Sequence, residues 1–134
     1  MFTSEVKIRV RYAETDRMGY VYYGNYATYF EVARVEAIRT LGFSYRSIED
    51  AGFMLPVAEF SIRYKKPAFY DEELTIRSSL PEMPGSRMRF EHEVLNAKGE
   101  TITTASVTLV FVNTDTGKPC AAPAEIIAAF SKFY

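Results

Sequence analysis

The 134-residue sequence predicts an α+β domain in which an antiparallel sheet wraps one long helix. Three observations carry that prediction. Residues 26–41 keep helical apolar spacing throughout, five other segments alternate apolar and polar residues with period two, and the later strands are joined mainly by short turns. Strands therefore follow one another in a block, which argues for α+β order and against repeated βα units. The length suits a single domain spanning 1–134, and 48% hydrophobic content is enough to bury a core.

The first strand carries Val6, Ile8, Val10 and Tyr12 on one face, with Lys7, Arg9 and Arg11 opposite. The helix places Tyr26, Phe30, Ala33, Ala37 and Leu41 at steps of three or four, and Gly42 marks its stop. Ala27, Tyr29, Val32 and Ile38 widen that stripe, so much of the helix should be enclosed. Residues 44–51, closed by Gly52, form a short surface helix with Ile48 as its main apolar contact. From Met54 onward Ala58, Phe60, Ile62 and Tyr64 alternate with Glu59, Ser61, Arg63 and Lys65 until Pro67, and 69–72 is a turn.

Leu74, Ile76, Ser78 and Leu80 make the third strand, ended by Pro81, Pro84 and Gly85, and Met88, Phe90, His92 and Val94 make the fourth. Asn96 to Gly99 is a hairpin signal into a fifth strand, 100–113. Its apolar residues on both faces near Leu109 and Phe111 place it near the sheet's centre or at an interface. Pro123, with Ile126, Ile127 and Phe130 behind it, starts a C-terminal helix.

Composition excludes several classes of function. Sixteen Lys and Arg against seventeen Asp and Glu leave a net charge of -1, so nothing draws the chain to nucleic acid. The N-terminal residues alternate charge with apolar side chains and no segment is long enough for a membrane span, so a cytoplasmic protein is expected. Cys120 is the only cysteine, which rules out an internal disulfide or a clustered-cysteine zinc site, and His92 is the only histidine. The sequence carries no nucleophile elbow, Walker loop or dinucleotide fingerprint, and no metal or redox cofactor is expected.

Chemistry is concentrated between Arg11 and Tyr26, where Asp16 precedes an aromatic, Gly-containing loop that enters the long helix. Two readings of Asp16 stand. A loop Asp before a helix commonly accepts backbone hydrogen bonds and does no more. An acid beside the unsatisfied N–H groups of a helix start can also act on a carbonyl whose oxygen those groups receive.

The residues Tyr12-Ala13-Glu14-Thr15-Asp16, then Gly19, Val21, Tyr22, Tyr23, Asn25 and Tyr26, then Phe30-Glu31, Ala33-Arg34 and Leu41-Gly42, resemble the hotdog-fold acyl-CoA thioesterases of the 4-hydroxybenzoyl-CoA thioesterase-like group. Tyr64, Pro67-Ala68, Tyr70-Asp71, Leu74 and Gly117-Lys118-Pro119 extend the likeness almost end to end. The resemblance implies a hotdog fold and hydrolysis of an acyl- or aryl-CoA to a carboxylic acid and CoA. Asp16 would then be nucleophile or general base, Gly19 would permit the tight loop, and the backbone N–H of Tyr23 would polarise the thioester carbonyl. Many relatives carry His where Tyr23 stands, a change that a backbone role survives. The resemblance also implies a homodimer or dimer of dimers, with the site between subunits.

Asn25 and Tyr26 at the helix start, with Lys65, Lys66 and Arg87, are candidate substrate contacts, the cations for the CoA phosphates. Tyr20, Tyr22, Tyr23, Tyr26 and Tyr29 either line an acyl pocket or seal the core, and packing is expected of most of them. Glu31 or Glu36 is expected to pair with Arg34 or Arg39, His92 to be a packed or edge residue, and Cys120 to be incidental. A non-catalytic acyl-CoA binding protein is the alternative, and a dehydratase would need His92 to be essential.

Overall fold

The computed structural model describes residues 1–134. In chain order the elements are β1 (Phe2–Arg9), α1 (Asn25–Arg39), α2 (Tyr45–Asp50), β2 (Phe53–Met54), β3 (Val57–Tyr64), β4 (Glu73–Leu80), β5 (Arg87–Leu95), β6 (Thr101–Val110), β7 (Val112–Asn113) and α3 (Ala124–Ser131). One antiparallel sheet has the order β1-β4-β5-β6-β3, and β2 pairs with β7 in a small second sheet. This is the expected α+β arrangement, with α1 packed on one face of the sheet.

The alternation of β4 and β5 sets the core. Leu74, Ile76 and Leu80 on β4, and Met88, Phe90 and Val94 on β5, are all buried. Across from them α1 buries Tyr26, Tyr29, Phe30, Ala33, Ala37 and Ile38. The apolar interior falls into two clusters, one around Phe30, Leu74 and Ile102 and the other around Ile38, Phe90, Phe111 and Phe130. Polar side chains lie between them in sequence along each element: Arg34 on α1, Ser78 on β4 and His92 on β5. The His92 ring stacks on Phe30 at 4.7 Å and on Phe90 at 5.6 Å, and its Nδ1 lies 2.8 Å from the Ser78 hydroxyl. His92 is thus the packed residue expected.

Some expectations change. Tyr12 is 78% exposed, because β1 ends at Arg9 and residues 12–14 form a 3-10 turn. Ala27 and Val32 are exposed, so the enclosed arc of α1 is narrower than its apolar stripe. The segment 100–113 divides at Phe111 into β6, an interior strand beside the central β5, and β7. A bulge between Val57 and Glu59 shifts the phase of β3, so Val57, not Ala58, stands opposite buried Leu109. Glu36 pairs with Arg39 at 3.5 Å as expected, whereas Arg34 is buried and makes no ion pair.

The two sheet edges differ. On β1 the outward Glu5, Lys7 and Arg9 pair with Arg77, Glu73 and Asp71 of the neighbouring strand and turn. On β3 Val57, Phe60 and Tyr64 are 49%, 43% and 47% exposed along an edge that no strand of this chain covers. No helix is long and apolar enough to cross a membrane.

Candidate active site

Between β1 and α1 the chain folds back on itself. The Asp16 N–H donates to the Tyr20 carbonyl at 3.0 Å, and the Gly19 N–H donates to the Asp16 carbonyl at 3.0 Å. Gly19 has φ +85°, a left-handed conformation that a side chain would strain. Asp16 Oδ1 accepts the Met18 N–H at 2.8 Å, which is the ordinary loop use of an Asp. The second carboxylate oxygen has no protein donor.

After the turn the chain enters α1 without a side-chain cap. The Asn25 N–H reaches the Tyr22 carbonyl at 2.9 Å and the Tyr26 N–H reaches that of Tyr23 at 3.4 Å. The N–H groups of Tyr23 and Gly24 donate to no protein acceptor. A helix N-terminus concentrates partial positive charge at such groups. Tyr64 fixes the segment from the other side, its hydroxyl donating to the Tyr23 carbonyl at 3.1 Å.

Asp16, Tyr23, Tyr26, Tyr64, Lys65 and Lys66 line one open cleft of about 380 Å³, together with Tyr20 and Met18. Four of the predicted site residues besides Asp16 therefore converge there: Tyr23, Tyr26, Lys65 and Lys66. Lys66 is paired with Glu100, and Lys65 has no ion-pair partner. Asn25 is not brought to the cleft, since its side-chain amide is used in the fold, donating to the Glu14 carbonyl at 2.8 Å. Nor is Arg87, which stands opposite Val110 while the cleft's Tyr64 stands opposite Thr103, about 20 Å away along β6. Of the five loop and helix tyrosines, Tyr26 and Tyr29 are buried as packing predicts; Tyr22 and Tyr23 are exposed.

Glu14, present in the motif but with no role read from sequence, is 9% exposed and bonded throughout. Its carboxylate accepts the Arg11 N–H at 2.8 Å, Arg11 Nε and Nη2 at 3.1 and 2.9 Å, and the Tyr29 hydroxyl at 2.9 Å. Burial works to raise its pKa, but the hydrogen bonds from Arg11 and Tyr29 outweigh that and hold it below the usual range. Burial and then the bond to Glu14 push the Tyr29 hydroxyl up. A charge pattern of Arg and Glu three apart was the only signal in sequence.

The His92 imidazole is neutral in this setting, its pKa pushed down to about 3 by burial and then by the Arg34 charge. It does not line the Asp16 cleft. A dehydratase using His92 has no geometry to support it.

The model of the thioesterase-like superfamily matches residues 10–130. The Bacillus subtilis protein YneP is 36% identical over 89% of this chain and 86% of its own length. The Escherichia coli acyl-CoA thioester hydrolase YbgC is 31% identical over 93% of each chain. A DHNA-CoA thioesterase from Staphylococcus aureus superposes with a TM-score of 0.94 at 40% identity, covering 99% of this chain and 91% of that one. With the acid, the open helix start and the hotdog topology in place, the chain belongs to the thioesterase-like superfamily, as a hotdog-fold thioesterase.

Proposed function

We propose that the protein hydrolyses an acyl-CoA to a carboxylic acid and CoA in the Asp16 cleft. What carries the reading is one observation: a carboxylate with a free oxygen shares a cleft with Tyr23, whose N–H, like that of Gly24, is unused at an uncapped helix start. The thioester carbonyl oxygen sits on the Tyr23 and Gly24 N–H groups, and the carbon faces Asp16. Asp16 either attacks, giving an anhydride that water opens, or removes a proton from the attacking water. In both routes charge gathers on the carbonyl oxygen, where a backbone donor is worth about 3 kcal/mol in comparable sites. CoA leaves as its thiolate, which takes its proton from solvent water or, where Asp16 acted as base, from Asp16. Lys65 at the cleft wall meets its phosphates.

Tyr20, Tyr23, Tyr26 and Tyr64 give the cleft flat aromatic walls, which favours an aryl acyl group. The name of the S. aureus relative, a DHNA-CoA thioesterase, agrees with that choice. A second copy pairs along β3, covering the exposed Val57, Phe60 and Tyr64 and closing the cleft that β3 borders. Thiol release from a panel of aryl-, short- and long-chain CoAs tests the activity, with aryl substrates expected to turn over fastest. Binding of every substrate with release from none would make the protein an acyl-CoA binder instead.

A further inference from the structure

The loop that holds Asp16 and the loop that holds the free amides meet at one residue. The Glu14 main-chain carbonyl accepts the Tyr22 N–H at 2.9 Å and the Asn25 side-chain amide at 2.8 Å. Those two residues bracket Tyr23 and Gly24, the owners of the unused N–H groups. Two residues after Glu14 comes Asp16, with Thr15 bridged to Val21 across the turn. The Glu14 side chain meanwhile binds the Tyr29 hydroxyl one turn into α1 and the Arg11 backbone two residues past β1.

Glu14 itself does not line the cleft and its carboxylate faces away into the fold, so it has no route to substrate. Four hydrogen bonds converge on its two oxygens. A carboxylate accepts all of them, whereas an amide of the same shape has one accepting oxygen and turns a donor toward the other partners. The charge is therefore used to fix geometry.

We propose that Glu14 is a positioning residue: it holds Asp16 and the Tyr23 and Gly24 amides at the spacing needed to act on one carbonyl group. This rests on the reading of the Asp16 cleft as the thioesterase site. Misplacement on the scale of 1 Å costs up to about a hundredfold in rate without touching bound reactants otherwise. Glu14→Gln, assayed per folded molecule on whichever acyl-CoA the unaltered protein cleaves fastest, should lower kcat by about tenfold or more and leave KM within about twofold. Tyr29→Phe, which removes one of the four bonds, should lower kcat less, and Glu14→Asp should recover part of the Glu14→Gln loss.

A second readout is independent of turnover. The infrared band of the thioester carbonyl, bound to Asp16→Asn, should fall in frequency relative to free substrate, and the fall should shrink in Asp16→Asn combined with Glu14→Gln. An unchanged kcat in Glu14→Gln beside an inactive Asp16→Asn, or an unshifted band between the single and double variants, overturns the role of Glu14 alone. Absence of hydrolysis by the unaltered protein overturns the thioesterase reading and this inference with it. If Glu14→Gln does not fold, Tyr29→Phe decides, and full kcat there contradicts the proposal.

Discussion

Glu14 and Arg34 are both charged and both buried, yet the fold treats them in opposite ways. Around Glu14 every approach is a donor: two groups of Arg11's side chain, its backbone and a tyrosine hydroxyl. Around Arg34 the balance fails. Its Nε and the neighbouring His92 Nε2 are buried without hydrogen-bond partners. The satisfied acid lies near the cleft end of α1, and the unsatisfied groups lie mid-core between the two apolar clusters. The contrast teaches that polarity in this domain is tightly organised where a loop must be aimed, and expensive where it only separates two packed regions.

The largest consequence of that difference is in acid. Unfolded His92 takes a proton near pH 6.5, while in the folded state it does so only near 3, so lowering the pH favours the unfolded chain across that window. Each pH unit in the window costs about 1.4 kcal/mol, which sums to about 3.5 kcal/mol by pH 4. Urea unfolding at pH 7, 6, 5 and 4 should trace this slope, and His92→Phe should flatten it. Glu14 gives a separate limb. Its folded pKa lies below the ordinary 4.5, so its contribution is complete above that value and is lost as pH falls through the lower folded one.

Next in size is Glu14→Ala at pH 7, which leaves the Tyr29 hydroxyl and the Arg11 N–H without their acceptor. It should cost about 2–3 kcal/mol in the same unfolding experiment. Arg34→Met should behave differently, staying within about 1 kcal/mol of the unaltered protein or exceeding it, because an unpaired buried charge is replaced by an apolar chain of similar length. A loss at Arg34 as large as that at Glu14 would erase the contrast. Removing the Arg34 charge should also shorten the His92 limb from its acid end, since that charge helps hold the folded imidazole unprotonated. Smallest is Tyr64→Phe, which deletes one exposed hydrogen bond to the Tyr23 carbonyl and should cost less than about 1 kcal/mol.

Much of the fold was legible because burial and alternation agree. The strands that pair β4 with β5 are enclosed on their inner face, and their apolar residues announce it. The β3 phase was not legible, because a bulge is a local insertion that period-two reading passes over. Tyr12 and Val32 carry apolar character without burial, since periodicity says which face is apolar and not how far the covering sheet extends. At the site, the Asp16 loop was read from local sequence, and Gly19 from the family resemblance. The bond from Tyr29 to Glu14 spans fifteen residues and appears in no spacing rule. Asn25 looked like a substrate contact from its place at a helix start, but its amide is used to hold the loop.

The central claim concerns one carboxylate, and Asp16→Asn tests it most directly. Asn keeps the side chain's shape and its acceptor for the Met18 N–H, so thermal unfolding should be nearly unchanged. Thiol release under saturating acyl-CoA should fall by about a hundredfold or more, with substrate still bound. Turnover equal to that of the unaltered protein, from a folded Asp16→Asn variant, would contradict the account.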